Sequence, residues 1–437
     1  MSEKQPSQNS IPASKVQRAS RFMQTGVKVG SNYVKHYAKK LVDPKVTKED
    51  LHQENAKDIY GALSELKGSA LKVAQMMSMD RNMLPTAYSE KFQMAQYSAP
   101  PLSYPLVVRT FRKSIGKSPD ELFDTFSKEA INAASIGQVH QASLGDKKLA
   151  VKVQYPGVAN SVSADLKLVK PFAVRIIGLN EKEVDLYMEE VEEMLLSETD
   201  YHLELERSLK LTAACQDIPN VRFPNYYKEY SSDRVLTMDW LEGLHLDKFL
   251  KTNPSQEIRN QIGQALWDFY DYQVHTLLEV HADPHPGNFL IGEDGILGII
   301  DFGCVKTLPR TFYDQYFALM YPSQNGGPSI QELFYALKFI HPEDSAEDKV
   351  ILEETFSQLI ELLSRPFRND MFDFGDDRYF EEVYAFGEQS SKIKPLREAK
   401  RPRGAKDGLY LNRTYFGLYS ILNQLGANIR TDSKIKK

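Results

Sequence analysis

Three side chains that carry oxygen atoms recur at spacings suited to holding a metal ion on a phosphate. Asp283 and Asn288 lie five residues apart in V-H-A-D-P-H-P-G-N, and Asp301 follows thirteen residues after Asn288 in I-I-D-F-G. The turn at 293–295, Glu-Asp-Gly, predicts a small hairpin between them. Two loops that flank such a hairpin can present all three side chains to one magnesium-nucleotide.

Protein kinases space a catalytic Asp, a metal-binding Asn and the Asp of D-F-G in this way. Lys152 in L-A-V-K matches the lysine that kinases place on the α and β phosphates at the end of a strand. A lone strand lysine is more often a solvated charge, but the downstream motifs favour the nucleotide role. Glu198, Asp200 and Glu204 are the candidate carboxylates that would orient it from one helix.

Features of ordinary protein kinases are missing. The segment 132–140 reads N-A-A-S-I-G-Q-V-H, so alanines stand where a glycine-rich loop would approach the phosphates. Ala282 precedes Asp283, so no arginine there can pair with a phosphorylated activation loop. After Gly303 the chain enters a predicted helix near Tyr313, which leaves no room for a long activation segment. We therefore expect no peptide-docking platform.

Hydrophobic periodicity predicts the elements that position these motifs. Short strands are expected around 136–144, 149–153 and 235–238, and the last leads into D-W-L-E-G, which resembles a hinge between two lobes. The predicted helices cover 48–80, 181–211 and 256–279, and the region 313–430 is mostly helical. Prolines at 100, 101 and 105 mark a linker.

Composition narrows the class of protein. The chain has 437 residues, 42% of them hydrophobic, and a net charge of -5, which argues against dedicated nucleic-acid binding. Two cysteines are too few for a disulfide framework, so we expect both thiols to be free in a reducing compartment. The sequence contains no uninterrupted apolar run of about 18 residues, so it does not predict a membrane-spanning helix.

The N-terminal region is basic. Residues 4–42 contain seven Lys and Arg side chains after Lys4 and no acidic residue. Three alternatives fit: a partly disordered basic arm, an amphipathic helix on a membrane surface, and an organellar transit peptide. Residues 392–406 are also rich in Lys and Arg, for which a solvated loop is the commoner explanation and contact with anionic lipid the alternative.

As a set, these motifs resemble the UbiB or AarF-domain atypical kinase-like family, which is associated with coenzyme Q biosynthesis and lipid homeostasis. The resemblance covers about residues 50–330 and rests on A-A-S-I-G-Q-V-H, A-V-K-V-Q-Y-P-G-V, E-T-D, H-A-D-P-H-P-G-N and D-F-G. Lys72-Val73-Ala74-Gln75 corresponds to the K-x-G-Q motif of the family, with Ala in place of Gly. In the family this helix is thought to fold over the active site and block protein substrates.

The resemblance implies an α+β, bilobal protein-kinase-like fold, with a helical N-terminal extension packed over the nucleotide cleft and a mostly helical C-lobe. The expected domains are a basic arm at 1–45, a helical extension at 46–100, an N-lobe at 101–242 and a C-lobe with the metal-binding loops at 243–437. The implied catalytic residues are Asp283 and Lys152, and the implied metal ligands are Asn288 and Asp301. Nucleotide binding is assigned to Ala133, Ala134, Ser135, Ile136, Gly137, Gln138, Lys152, Glu198, Met238 and Trp240, and regulation to Lys72, Gln75, Asp200 and Glu204.

The expected function is that of an atypical kinase-like protein that binds ATP or ADP with magnesium. It would act as an ATPase, or as a phosphotransferase on a small molecule or lipid, in isoprenoid-quinone or lipid metabolism. A weakly catalytic, nucleotide-gated binding module is the alternative, and a conventional protein kinase is a third. Expected partners are the nucleotide, a lipid or quinone precursor and a membrane surface, but no nucleic acid. The expected location is cytoplasmic, peripheral to a membrane, with a mitochondrial or plastid location as the alternative.

Overall fold

The structure is a computed structural model. It describes residues 15–42, 47–66, 70, 72, 73, 88, 91, 101–133, 136–177, 181–320, 327–390, 392–397, 399, 401 and 403–432. Of the residues assigned to the site, Ala134, Ser135 and Gln75 lie outside this part of the chain.

The chain divides into two compact units. The first comprises Met1–Glu206 and Asn225–Trp240, and the second comprises Arg207–Pro224 and Leu241–Lys437. The division at Trp240 falls within the D-W-L-E-G segment that resembles a hinge.

The described helices are α1 Lys15–Val42, α2 Lys48–Leu66, α3 Tyr104–Ser114, α4 Pro119–Leu122, α5 Val158–Ile177, α6 Glu181–Glu198, α7 Tyr201–Cys215, α8 Leu246–Leu250, α9 Gln256–Tyr272, α10 Arg310–Met320, α11 Ile330–Ala336, α12 Ala346–Arg368, α13 Asp377–Ser390, α14 Lys394–Arg397 and α15 Lys406–Leu425. The strands are β1 Thr125–Phe126, β2 Asn132–Ala133, β3 Gly137–Leu144, β4 Lys147–Gln154, β5 Val221–Arg222, β6 Val235–Asp239, β7 Glu279–His281, β8 Phe289–Ile291, β9 Leu297–Ile299, β10 Val305–Thr307, β11 Met371–Asp373 and β12 Asn428–Arg430.

The first unit is built on a five-stranded antiparallel sheet in the order β1-β3-β4-β6, with β2 also paired to β3. Gly145 lies in the tight turn between β3 and β4 at φ +57°, a left-handed conformation that glycine adopts without a steric penalty. Leu149, Val151 and Val153 alternate along β4 and are buried in a cluster with side chains of α3. Lys152, between two of them, therefore lies on the opposite face of the sheet.

The second unit places its site loops on short strands. β8 and β9 form an antiparallel hairpin in which Phe289 is opposite Ile299, and β7 pairs with β10. Because the strands of a hairpin run in opposite directions, residues just before β8 lie beside residues just after β9. Helices make up most of the rest, and their core includes Trp267, whose ring contacts those of Phe367, Phe374 and Tyr419 at 5.5–6.4 Å between centroids.

In one region the structure decides between the alternatives, and in two others it departs from the expectation, one of them being the helix predicted over 181–211, which is interrupted at Thr199 and Asp200. Residues 15–42 form a helix that contacts α2 and α5, so a disordered arm does not describe them. The helix predicted over 256–279 ends earlier: α9 stops at Tyr272, a π-helical turn covers Gln273–Leu277, and Leu278 adopts φ +51° before β7 begins. A left-handed residue cannot continue a right-handed helix, and it redirects the chain into β7. The residues that follow β7, 282–288, are called the catalytic loop here because they resemble that loop of protein kinases.

No helix in the described part of the chain has the length and apolar character needed to cross a membrane. Neither Cys215 nor Cys304 forms a disulfide, and both are buried. Burial raises the pKa of the Cys215 thiol to about 12, which keeps it protonated and unreactive at neutral pH.

Candidate functional site

Lys152 is fixed in the first unit by the sheet and by a carboxylate. In the sheet register it lies opposite Val139 of β3 and Leu236 of β6. Its Nζ donates to both carboxylate oxygens of Glu204, at 2.7 and 3.0 Å. The Lys152 side chain is 12% exposed and that of Glu204 only 1% exposed, so neither charge is well solvated alone. A bidentate, poorly hydrated pair of this kind holds the ammonium group in one position.

The structure distinguishes between the three candidate carboxylates. Glu204 is the partner of Lys152, whereas Glu198 lies 3.1 Å from Nζ of Lys72. Asp200 caps the start of α7, where its Oδ1 accepts the backbone N–H groups of residues 202 and 203 at 3.1 Å each. The first unit thus contains two distinct Lys–Glu pairs, Lys72–Glu198 and Lys152–Glu204.

A hydrogen bond joins the E-T-D segment to the lysine strand. Gln154, two residues after Lys152, donates from Nε2 to the backbone carbonyl of Thr199 at 2.8 Å. The Gln154 side chain is buried, so this bond is shielded from water. It keeps the turn before α7, and with it Glu204, in register with β4.

Close packing requires the glycine of the alanine loop. A Cβ on Gly137 would lie 2.8 Å from the hydroxyl of Tyr201 and 2.8 Å from the carbonyl of Val153. Ala133 pairs with Gln138 in the β2–β3 ladder, and Ile136 is buried at 4% exposure. The loop is therefore anchored on both sides of the segment where nucleotide binding was predicted.

Gln138 has a structural role that the motif alone does not reveal. Its side chain is fully buried and accepts the Leu102 N–H at 2.6 Å. Nε2 of Gln138 lies 2.8 Å from Nε2 of His140, whose Nδ1 lies 2.7 Å from the carbonyl of Ser127. Because a carbonyl only accepts, Nδ1 carries the proton and Nε2 accepts from Gln138. Only the main chain of Gln138 remains for the predicted nucleotide contact.

Met238 and Trp240, both assigned to nucleotide binding from the sequence, lie at the end of β6 and just after it. Met238 is 5% exposed and pairs with Ala150 of β4. Trp240 donates its backbone N–H to the carbonyl of Lys148 at 2.9 Å. Both residues are thus tied to the strand that carries Lys152.

In the second unit, Asp283 lies between a cation and an amide. Its Oδ1 is 3.2 Å from Nη2 of Arg413 in α15, and its Oδ2 is 3.5 Å from Nδ2 of Asn288. The residue is 8% exposed. Contacts to both oxygens restrict rotation of the carboxylate, which is what a group that must orient an acceptor requires.

Asn288 and Asp301 carry side-chain oxygens of the kind predicted to bind magnesium. Asn288 Nδ2 donates to the backbone carbonyl of Asp283 at 2.9 Å, which fixes the amide orientation, so that Oδ1 is the atom that could serve as a ligand. The N–H of Ile300 donates to the Asn288 carbonyl at 3.1 Å, which brings the Asp301 loop beside it. Magnesium prefers such oxygen ligands, with water and phosphate completing its coordination. Among the residues described, no three His, Cys, Asp or Glu side chains are grouped to hold a metal.

His281 connects the catalytic loop to the D-F-G loop. It is fully buried, and its Nε2 lies 2.7 Å from the carbonyl of Asp301, so Nε2 carries the proton. Nδ1 then accepts from the hydroxyl of Tyr270 at 3.1 Å. Burial, with the nearby charge of Asp283, raises the pKa of Tyr270 well above 10, so that hydroxyl stays a donor. His281 thus joins the two loops through its buried hydrogen bonds to Tyr270 and Asp301.

Two arginines at the site carry no sequence signature that would have revealed them. Arg413 contacts Asp283 from 130 residues away, and Arg207 donates to the carbonyl of Gly303 at 3.3 Å. Gly303 also donates its N–H to Oδ1 of Asp301 at 2.8 Å, so Arg207 supports the turn that holds this carboxylate. Neither arginine lies in a motif that resembles the family.

Comparison with known proteins identifies the kind of domain. Residues 94–326, just over half of the chain, match the family model described as the ABC1 atypical kinase-like domain. A probable serine/threonine-protein kinase, abkA, of Dictyostelium discoideum is 26% identical and covers 96% of this chain and 78% of its own. The mitochondrial atypical kinase COQ8 of Saccharomyces cerevisiae is 25% identical and covers 98% and 85%.

An uncharacterized aarF domain-containing protein kinase of Arabidopsis thaliana, named as chloroplastic, is 28% identical over 80% of this chain and 49% of its own. Among solved structures, the Rv3197-erythromycin complex of Mycobacterium tuberculosis has a TM-score of 0.56 at 24% identity, with 88% and 95% coverage. That likeness concerns the fold alone, and with the family model it confirms the kinase-like α+β fold. The resemblance to the AarF-domain family is confirmed as well.

Proposed function

Since this chain belongs to the ABC1 atypical kinase-like family, we propose that it binds magnesium-ATP and releases or transfers the γ-phosphoryl group, with a small molecule or lipid as acceptor. The isoprenoid-quinone pathway is the metabolic context that we favour. The observation that carries the proposal is the Lys152–Glu204 pair at 2.7 Å, since the two residues are 52 positions apart and meet in a buried setting. A surface lysine has no need of such a partner.

Each polar group has a role in this proposal. Lys152, oriented by Glu204, would bind the α and β phosphates, and Asn288 Oδ1 with Asp301 would hold magnesium. The metal, when bound, would neutralise charge on the phosphates. Asp283, held by its contacts to Arg413 and Asn288, would orient the acceptor hydroxyl or water and take its proton.

The chain is not a conventional protein kinase. From Gly303 it passes through β10 and enters α10 at Arg310, so these residues provide no extended activation segment. Without an extended activation segment in this region to bind a folded protein, a small molecule is the more suitable acceptor.

Phosphate release from ATP and magnesium tests the proposal. Wild type should exceed Asp301→Asn, whereas Asp314→Asn, which removes a surface carboxylate of the second unit, should match wild type. Release that is equal in wild type and Asp301→Asn would rule out turnover. Binding of a fluorescent ATP analogue, measured in the same samples, then shows whether a nucleotide site exists without catalysis.

A nucleotide-gated binding module is the second candidate, and the Lys72–Glu198 pair favours it. The Nζ–Oε1 distance is 3.1 Å and both side chains are largely buried, at 13% and 9% exposure. Occupancy of the site could move Lys72 only by breaking this contact. Lys72→Ala should therefore change nucleotide affinity or autophosphorylation; if both stay at wild-type values, the Lys72 segment is not a lid.

We also propose that α1 rests on an anionic membrane surface, because this helix buries polar side chains and exposes apolar ones. Among the side chains of α1 whose burial the structure describes, the buried ones are polar: Arg18, Thr25, Asn32 and His36 are each at most 8% exposed. Arg18 donates two hydrogen bonds of 2.5 Å to the buried carboxylate of Asp165 in α5. A cleaved transit peptide that included Arg18 would remove the cation from a fully buried carboxylate, which is unfavourable.

Several exposed side chains of α1 are apolar, and exposed lysines lie on the same helix. Met23, Val27, Val34 and Tyr37 follow one another at steps of four, seven and three residues and are 70%, 75%, 71% and 59% exposed. They form one stripe, and α1 carries basic but no acidic residues. The basic stretch at 392–406 suits a membrane less well, because Lys392, Arg401 and Arg403 pair with local carboxylates at 2.8–3.0 Å.

Sedimentation with phosphatidylglycerol-containing vesicles tests the α1 proposal. Wild type should bind and dissociate as salt rises, and the double variant Val27→Asp/Val34→Asp should bind at least about tenfold more weakly. Val350→Asp is the matched control, because it also charges an exposed valine, 66% exposed, but on α12. Equal vesicle binding by wild type and the double variant would refute the membrane contact.

A further inference from the structure

One face of the C-terminal helix α15 follows the site loops of the second unit. Asp407, Tyr410, Arg413 and Gly417 recur at steps of three, three and four residues, which places them on one side of a helix. Each contacts a residue of the catalytic loop or of β10. The helix lies beyond residues 94–326, the region that matches the family model.

The central contact is the pair of Arg413 and Asp283. Arg413 Nη2 lies 3.2 Å from Oδ1, with 21% of the arginine side chain and 11% of the aspartate side chain exposed. The residue before Asp283 is Ala282, which is fully buried and offers no charge. α15 therefore supplies a cation to the catalytic carboxylate that the loop itself lacks.

Gly417, one turn after Arg413, allows the helix to approach the same loop. A Cβ at this position would lie 2.3 Å from Cγ, 3.1 Å from Cβ and 3.2 Å from the carbonyl oxygen of Pro284. A proline ring cannot rotate away, so any larger residue must push the loop or the helix aside. Glycine is otherwise disfavoured inside a helix, and this close approach accounts for its presence.

The first turns of α15 contact the strand that follows the D-F-G loop. Asp407 lies 3.0 Å from Nζ of Lys306, and the same ammonium group is 4.8 Å from the ring centroid of Tyr410. Lys306 belongs to β10, which pairs with β7 in a register that sets Val305 opposite His281. Both strands that flank the site loops are thereby connected to α15.

From these contacts we infer that α15 holds the catalytic loop in place, a task that an activation segment performs in protein kinases, and that Arg413 is the positioning residue for Asp283. The inference rests on the proposed function for its effect on turnover, but not for its effect on the loop. Arg413 acts through Asp283, whose carboxylate it contacts within the second unit.

The test uses full-length wild type, Arg413→Gln, Arg413→Lys and Gly417→Ala, with Arg378→Gln as the matched control. Arg378 also pairs with a carboxylate in the second unit, Asp376, but it is 84% exposed. Two quantities are measured: kcat and KM for phosphate release from magnesium-ATP, and amide hydrogen exchange of peptides that span residues 279–288.

Arg413→Gln should lower kcat about 10-fold to 100-fold, the effect of a misplaced catalytic group, with little change in KM for ATP. Arg413→Lys should recover part of this loss, because it keeps the charge. Arg413→Gln and Gly417→Ala should speed exchange within 279–288, whereas Arg378→Gln should match wild type in both measurements.

The inference would be overturned if Arg413→Gln had the same kcat as wild type and the same rate of amide exchange in residues 279–288. Faster exchange across the whole second unit would overturn it too, since that would indicate general destabilisation. If Arg413→Gln does not fold, Arg413→Lys and Gly417→Ala decide: exchange at the wild-type rate in both contradicts it. If wild type releases no more phosphate than Asp301→Asn, the proposed function fails instead, and the exchange data alone decide the role of Arg413.

Discussion

The helices near the two ends of the described chain bury opposite kinds of side chain. α15 buries Leu411, Leu418 and Leu422, each at 0% exposure, as a helix in a protein core usually does. α1 buries Arg18 and Asn32 and leaves Val27 and Val34 exposed. Apolar packing therefore contributes to the attachment of α15, whereas buried polar contacts contribute to that of α1, and the exposed apolar stripe of α1 is the part that we propose to lie on a membrane.

The largest expected effect comes from breaking the polar attachment of α1. Arg18→Met leaves Asp165 buried and charged without the guanidinium, so the free energy of unfolding of the first unit should fall by about 3–5 kcal/mol. The double variant Arg18→Met/Asp165→Leu should regain most of this loss, because the buried charge is gone as well. Chemical denaturation of the three proteins provides the measurement, and no recovery in the double variant would show that the ion pair itself is needed.

A comparable loss of stability is expected from a substitution that creates a cavity beneath α15. Leu422→Ala removes a fully buried side chain and should lower the free energy of unfolding of the second unit by about 2–5 kcal/mol. Leu409→Ala, at 38% exposure on the same helix, is the matched control and should cost far less. Thermal unfolding is monitored by tryptophan fluorescence in a Trp240→Phe background, in which Trp267 is the remaining tryptophan and reports on this core. Equal shifts in both variants would mean that α15 is not anchored through its apolar face.

The sequence predicted the local parts of the site and missed the distant ones. Asp283 and Asn288 precede β8 and Asp301 follows β9, so their spacing and the turn at 293–295 were enough to predict the hairpin between them. For Lys152 the sequence offered three carboxylates within two turns and could not choose Glu204, because that choice depends on how α7 is set against β4.

Other features were beyond the reach of local patterns. Arg413 and Asp283 are 130 residues apart, and a single arginine in a helix carries no signal of its partner. The early end of the helix predicted over 256–279 depends on the left-handed conformation of Leu278, a residue with no intrinsic preference for it. The sequence motif places Gln138 in a phosphate-binding loop, whereas the structure shows that its side chain is buried and accepts a hydrogen bond from Leu102.

Acid should act differently on the units that carry the two helices. Burial lowers the pKa of His140 in the first unit below 6.5. Between that folded-state value and 6.5 only the unfolded chain binds the proton, so the contribution of His140 is complete above 6.5 and declines as the pH falls below it. The hydrogen bond from Arg403 lowers the pKa of Asp344 in the second unit from 3.8 to about 2, so its contribution is complete above 3.8 and is lost towards pH 2.

A comparison of thermal unfolding at pH 7.5 and 5 therefore isolates the first unit. His140→Gln should show a smaller loss of stability between these pH values than wild type, whereas Asp344→Asn should lose as much as wild type. An identical loss in His140→Gln and wild type would mean that His140 is not responsible for the acid sensitivity.

The smallest expected effect sharpens the comparison most. Val34→Ser on the exposed stripe of α1 should change the free energy of unfolding by no more than about 0.5 kcal/mol, because the valine is 71% exposed. The same variant should bind phosphatidylglycerol vesicles less well than wild type. A large loss of stability with no change in vesicle binding would show that the stripe serves the fold rather than a membrane.

The contact between α15 and Asp283 also bears on when the protein can become competent during its synthesis. The ribosome completes every recognisable motif, from the lysine strand to D-F-G, long before it reaches Arg413, because that residue is made 130 residues after Asp283. The nascent chain therefore carries all of the motifs around a catalytic loop that still lacks its support. A premature stop after Gly404 would leave a chain that any motif search accepts, yet the helix that steadies the loop would be missing.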